Sequence, residues 1–446
     1  MSGPPRDRTI DAVRAVAIAG VVAGHWLITA LVAGPDGVTT ASPLSTMPGA
    51  APATWLLQTL GLLFFAGGYG AARAPVRPRA GRGVARLVLP ALVLLAGWAL
   101  VLFAGAALGQ PTATLQTIAG LVVSPLWFLV PYLGLRAATG PLRRVVSRVG
   151  ALALLPPVAT VAASDLGLLP ALVALPAAWA VPWLLGMLLA ERDEGRTLLT
   201  TVRLTEPRHR NTDGRDGAPH PNACGWFGAA LACNGAAALA ALVLFAGYPA
   251  SAVGVPGDGR SNLDPPSLAA LALAVTQIGV FLMLRGPLTR LLRHDRAWRP
   301  VAAVNRVAVP VYLGHQSVLL AVAGAAALLN PAMPGLLTDP TSTHWVWHRL
   351  AWLPILGGTL ALATHPRNRR DTQASHHDAQ ANHHDAQERR AEKDAPGNDP
   401  PGKDAQEDQR DAQRRPHVGH RRNPRHAQAK PNDTPANSPE APAKPQ

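Results

Sequence analysis

Residues 6–33 read RDRTIDAVRAVAIAGVVAGHWLITALVA. A helix needs about 20 predominantly apolar residues to cross a bilayer, and this stretch supplies them. It carries Arg14 near its start and His25 near its middle. Ionisable groups are costly inside a membrane, so each is a functional candidate by default. Their separation of eleven positions is about three helical turns, which sets both on one face, roughly 16 Å apart along the axis. Arg6 and Arg8 ahead of an apolar run could open a secretory signal. The run continues through His25 to Ala33 with no small-residue cleavage site after its centre, so it reads as an uncleaved first span.

Nine further apolar stretches follow. The expected spans are roughly 10–33, 53–72, 84–109, 113–135, 148–164, 167–190, 226–249, 267–285, 300–328 and 345–364, the fifth being short. Prolines interrupt several (Pro90, Pro131, Pro176, Pro182, Pro310), which a membrane helix tolerates where its neighbours re-satisfy the backbone. The expected fold is an all-α, polytopic membrane bundle of about ten helices over residues 1–365.

Composition agrees. Of 446 residues, 48% are hydrophobic and only 15% charged, against about a quarter charged in ordinary soluble domains. The net charge of +14 sits in loops and in the tail, so it argues for topology rather than for nucleic-acid binding. With the N-terminus inside, the inner loops hold Arg73 to Arg86, Arg136 to Arg148, Arg192 to Arg215 and Arg285 to Arg299. The outer loops hold Arg260 and, at a span edge, Arg349. That asymmetry predicts a cell-membrane protein with both termini in the cytoplasm, and it requires the fifth span. Cys224 and Cys233 have no metal-ligand spacing, and Cys224 falls in an inner loop, so no structural disulfide is expected.

Residues 191–225 read as a flexible cytoplasmic loop. The tail 366–446 is rich in Pro, Asp, Gln, Arg and His and repeats Asp-Ala-Gln four times. Its seven-residue spacings carry no apolar positions, which excludes a coiled coil. Too little apolar surface is present to offset chain entropy, so the tail is expected to be disordered.

Several groups could carry chemistry. Arg14 either snorkels to the headgroups or takes part in a site, and Asp11, three residues earlier, is placed to pair with it. His25 either hydrogen-bonds within the bundle or serves as a general base in a central cavity, where a neutral imidazole accepts a proton from a hydroxyl. Phe64-Phe65-Ala66-Gly67-Gly68-Tyr69 combines glycines that permit close helix approach with an interfacial tyrosine, Tyr69. The run Arg73 to Arg86 is either topogenic charge or an anion clamp, since guanidinium groups match phosphates. Pro125-Leu126-Trp127-Phe128-Leu129 on its own reads as packing. Ser261-Asn262-Leu263-Asp264-Pro265-Pro266 reads as an outer turn leading into a helix. His315, after Val311-Tyr312-Leu313-Gly314, is a second intramembrane histidine. No Walker loop, dinucleotide fingerprint, HExxH motif or nucleophile elbow is present.

In this order these pieces resemble bacterial acyltransferase family 3, a family of integral membrane proteins. The resemblance runs from Asp11-Ala12-Val13-Arg14, with ten residues between Arg14 and His25. It continues through Phe64-Phe65, Gly68-Tyr69, the arginine loop leading into Leu87 and Pro90, and Leu126-Trp127-Phe128-Leu129. It ends with Tyr312-Leu313 before His315, and covers about 10–364. Members move acyl groups, often acetyl, from a cytoplasmic thioester to hydroxyls. The resemblance implies His25 as catalytic base with Arg14 as its motif partner. It implies acyl-coenzyme A, acetyl-coenzyme A above all, as donor substrate, with no permanently bound cofactor and no metal. The donor would be held by Arg79 and Arg82, or by Arg82 and Arg86, which sits better against Leu87 and Pro90. Tyr69, Trp127 and His315 are additional candidates. Gly67 departs from the family, which usually has serine there.

The expected function is therefore O-acyl transfer to a carbohydrate, lipid or other small acceptor, directly or through an acyl-histidine. The competing expectation is a multi-pass transporter or exporter without chemistry, which a buried Arg and His in broken helices would also serve. The scarcity of intramembrane carboxylates and the absence of an inverted repeat weigh against it.

Overall fold

A computed structural model describes residues 7–74, 80–194, 223–256 and 259–365, without the side chains of residues 80–84, 86, 223 and 224. The expected disordered tail, 366–446, lies outside the described residues, as does most of the expected flexible loop, 191–225.

The chain begins with α1, Arg8–Ile28, capped by Asp7, whose carboxylate accepts the Thr9 N–H at 2.8 Å. The helix ends at Thr29, earlier than the apolar run does. Residues 30–41 form a hairpin of β1 (Ala30–Gly34) and β2 (Gly37–Ala41), in register Leu31↔Thr40 and Gly34↔Gly37. Gly37 has φ +116°, and a Cβ there would collide with Thr114 and Pro111, so the tight turn requires glycine. Among the described residues the other regular elements are helices.

Two short helices follow, α2 (Pro43–Thr46) and α3 (Thr54–Leu57), then α4 (Leu60–Arg73). The second expected span is thus broken at Gln58–Thr59. Thr59 turns its hydroxyl onto the Ala17 carbonyl of α1 at 2.8 Å, against Gly20, where a side chain would collide with it. The long α5 (Ala80–Ala107) is continuous through Pro90. The fourth span is two helices, α6 (Thr112–Val123) and α7 (Leu129–Ala137), separated by a 3-10 turn at Ser124–Leu126. The fifth expected span, 148–164, takes in a 3-10 segment (Gly150–Leu154) and α9 (Leu155–Asp165), and a separate helix, α8 (Thr139–Val149), precedes it. The remainder are α10 (Ala171–Asp193), α11 (Ala223–Phe245), α12 (Leu268–Leu291), α13 (Asp295–Arg306), α14 (Ala308–Leu329) and α15 (Thr343–Thr364).

Among the described residues, nine segments are long and apolar enough to cross a membrane, from Arg8–Ile28 to Ala308–Leu329. The last expected span, 345–364, forms the 22-residue helix α15, which begins with His344, His348 and Arg349 and is not among the nine. Phe103, Leu172, Phe245, Leu328 and Leu362 stand on the exterior. Such a surface suits lipid, where helices satisfy their own backbone and no water need be excluded. The protein is a multi-pass membrane helix bundle.

Small residues bring the inner helices together, as membrane packing requires. α4 and α10 touch backbone to backbone: a Cβ on Gly68 would strike the Trp183 carbonyl, and one on Gly186 the Phe65 carbonyl. Around this seam Phe64, Phe65, Trp183 and Met187 are fully buried. α1 lies against α4, α13 and α14, and its inward face (Ile10, Val13, Ala17, Val21) forms the centre of the core.

Candidate functional site

The register of α1 against α14 is set by Trp26, whose indole N–H donates to the His315 backbone oxygen at 3.0 Å. That bond brings His25 beside His315 and Gln316 of α14. The His25 and His315 rings are 5.1 Å apart between centroids, and Gln316 Nε2 lies 3.3 Å from His25 Nδ1. His315 is fully buried. Its Nδ1–H donates to the Tyr312 backbone oxygen at 2.6 Å, which leaves Nε2 as an acceptor with no partner.

The end of α1 is pinned by Arg349, which is fully buried. Its Nε donates to the Trp26 carbonyl at 2.6 Å and its Nη1 to Gly335 O at 2.9 Å, while Nη2 reaches Thr29 O. A helix C-terminus carries partial negative charge, so a guanidinium is well matched to it.

His25 lines a cavity of about 740 Å³, within the usual range for a small-molecule site. Ser124 and Trp127, at the break between α6 and α7, form one wall, and Tyr312 forms another. Gly254, Arg260, Ser261 and Asp264, from the loop ahead of α12, border the same space. This loop is built around Asn262. Its amide donates to Pro249 O and Ser251 O, both at 2.8 Å, and its Oδ1 accepts the Ser267 hydroxyl at 3.0 Å. Gln277 donates to Gln58 O at 3.0 Å, tying α12 to the break before α4. Tyr248 donates to Asp165 at 2.7 Å and lies under Arg260, whose guanidinium is 4.6 Å from the ring centroid. Burial and the Asp165 carboxylate push the Tyr248 phenol up to about 12.

Arg14 does not line this cavity. It pairs with Asp11 at 3.5 Å and borders a separate cavity of about 350 Å³, together with Leu87, Phe128, Tyr132, Arg136 and Asn305. Tyr312 lines both spaces. The face shared by Arg14 and His25 is thus divided, with one group in each chamber.

Tyr69 belongs to a polar network at the other end of α1. Its hydroxyl donates to Asp193 at 2.9 Å and accepts from Arg73 at 2.6 Å. Arg285 bridges Asp193 and Asp7, the latter at 2.8 Å. Burial alone would raise the Asp7 carboxyl. The Thr9 and Arg285 hydrogen bonds and the Arg285 charge outweigh it and hold the group below its usual 3.8. Tyr69 is therefore a tie between α1, α4, α10 and α12. A cleft of about 1500 Å³ opens beside Arg285, Arg290 and Arg293, and it contains neither His25 nor Arg14.

Of the expected donor-binding arginines, Arg79 lies outside the described residues. Arg82 and Arg86 lie on α5, and their side chains are not described. Leu87, one residue beyond, does line the Arg14 chamber. Sequence reasoning passed over Gln316, Arg136 and the capping role of Arg349. An amide following an intramembrane histidine was a usable signal for Gln316. An arginine inside the expected span 345–364 was a usable signal for Arg349, but its partners Trp26 and Thr29 lie 323 and 320 positions away, so its capping role had no local mark.

The family model described as "Acyltransferase domain" matches residues 7–364. Comparison with curated proteins found no match, and neither did comparison with solved structures.

Proposed function

The chain belongs to the acyltransferase family, and from that premise we propose that it transfers an acyl group, acetyl foremost, from acyl-coenzyme A to a hydroxyl of a carbohydrate, lipid or other small acceptor. Membership and the apolar helices together make it a membrane acyltransferase. The donor, the acyl group and the acceptor are our reading.

The observation that carries the reading is the position of His25 on the wall of the larger cavity, with Trp127 and Tyr312 around it. The acceptor hydroxyl sits there. Its proton passes to the free ring nitrogen of His25 as the oxygen attacks the thioester carbonyl. The tetrahedral carbon then collapses and the C–S bond breaks. The imidazolium returns the proton to the departing thiolate. An ester and a free thiol result, and His25 is neutral again.

The donor enters from the Arg14 chamber. Arg14 and Arg136 border that space, and Leu87 of α5 lines it. In the proposed orientation this end faces the cytoplasm, with both termini inside, because the basic loops gather there. Arg82, with Arg79 or with Arg86, binds the donor phosphates, to which a guanidinium is well matched. Trp127 forms the acceptor wall, and His315 packs behind His25.

The test is acyl transfer from acetyl-labelled acetyl-coenzyme A in membranes carrying the full chain. His25→Ala lowers the rate by a factor of about 100 or more, the scale of general-base catalysis. Undiminished transfer by His25→Ala overturns the assignment.

A further inference from the structure

A neutral imidazole has one N–H and one lone pair, and only the lone pair can take a proton. For His25 to act as base through Nε2, its proton must be held on Nδ1. Near Nδ1 stands the side-chain amide of Gln316, 3.3 Å away and almost wholly buried. The contact is not accidental, since the Trp26–His315 bond locks residues 25 and 26 of α1 against residues 315 and 316 of α14.

A glutamine amide offers either its nitrogen or its oxygen to a neighbour, by a half-turn about its last bond. With the nitrogen toward His25, Gln316 Oε1 is buried without a donor. The adjacent His315 Nε2 is also a buried acceptor without a donor. Two unpaired acceptors on consecutive buried residues are an unfavourable arrangement. The half-turn replaces one of them with a donating NH2 group and puts the carbonyl against His25 Nδ1.

We infer that Gln316 is the positioning residue for acyl transfer: its carbonyl accepts the Nδ1–H of His25 and so leaves Nε2 free as the base. The inference rests on the reading of His25 as base. Gln316 touches neither donor nor acceptor, and acts by fixing the tautomer and the ring orientation.

Three full-length variants test it in detergent: Gln316→Leu, which removes both polar atoms, Gln316→Glu, which keeps a carbonyl acceptor and loses the NH2 donor, and His25→Gln. Histidine-selective 15N labelling, with His25→Gln to identify the signals, reads the tautomer of His25 directly. The expected result is Nδ1–H in the wild type and in Gln316→Glu, with that form lost in Gln316→Leu. Thioester consumption with acetyl-coenzyme A alone should fall at least tenfold in Gln316→Leu and recover most of that loss in Gln316→Glu. An Nε2–H wild type overturns the inference, as does a Gln316→Glu protein that is folded yet as impaired as Gln316→Leu. The underlying reading fails on a different result, full turnover by His25→Ala, so the two failures are distinguishable.

Discussion

The Tyr312 and Phe128 rings meet at 4.3 Å between centroids, and Tyr312 borders both the His25 cavity and the Arg14 chamber. In the proposed reaction this pair stands between donor and acceptor. Its proposed task is to admit the thioester while keeping water of the His25 cavity out of the Arg14 chamber. Tyr312→Ala should join the two spaces and raise the ratio of free thiol released to acyl transferred. Tyr312→Phe keeps the ring and should leave that ratio unchanged. Parallel assays of thiol release and labelled ester decide it, and an unchanged ratio in Tyr312→Ala removes the pair from any role as a partition.

Arg349→Met should destabilise the protein by about 3 kcal/mol. The buried carbonyls of Trp26 and Gly335, and the part-buried one of Thr29, lose a charged donor. Arg349→Lys, with one nitrogen in place of a planar fork, should fall between the two. Thermal melts in detergent measure this, and a melt of Arg349→Met superimposable on wild type would show that water replaces the guanidinium.

Asp7 ties stability to acid pH. Its folded value is held below the usual 3.8, so its contribution is present above that value and is lost as pH falls through the folded one. Asp7→Asn keeps a capping oxygen for Thr9 N–H and should lower stability at pH 7 by about 1 kcal/mol through the lost ion pair with Arg285. The deficit should shrink below pH 4. Melts between pH 3 and pH 7 test the sign, and a deficit that grows on acidification contradicts it.

Gly68→Val should prevent the approach of α4 to α10, because the obstructing atoms belong to the Trp183 backbone and cannot swing away. The loss is on the order of 3 kcal/mol, the upper end for overpacking. Gly70→Ala, two residues along the same helix, meets only Arg14 Nη2 at 3.6 Å, an ordinary contact. It should be neutral or stabilising by up to about 1 kcal/mol. Yield of folded protein and melting temperature separate the pair, and equal tolerance of both substitutions would mean that the seam is looser than its geometry.

The apolar runs and the paired Arg14 and His25 were legible in the sequence because both are local signals. A span needs about 20 consecutive apolar residues, and a costly residue within one stands out. The breaks were not legible. Ala30 to Ala33 suit a continuing helix, yet α1 stops at Ile28, where Arg349 takes the carbonyls of Trp26 and Thr29. The turn at Ser124–Leu126 was written as Pro125, but several other prolines in this chain stay inside helices, Pro90 and Pro176 among them. The division of the Arg14–His25 face into two chambers depends on Tyr312, some 300 positions later in the chain. The helical period places two residues on one face, and only tertiary packing decides what comes between them.

The loop ahead of α12 separates its tasks by residue. Asn262 is wholly buried and holds the loop in shape, while Arg260 and Asp264 border the His25 cavity. Substitutions at Arg260 and Asp264 therefore alter the lining of the cavity from a loop, away from the helices that carry His25 and Tyr312. If the proposed reaction runs in this cavity, one acceptor can be exchanged for another by small steps in a surface segment, and the reacting centre need not be reinvented each time.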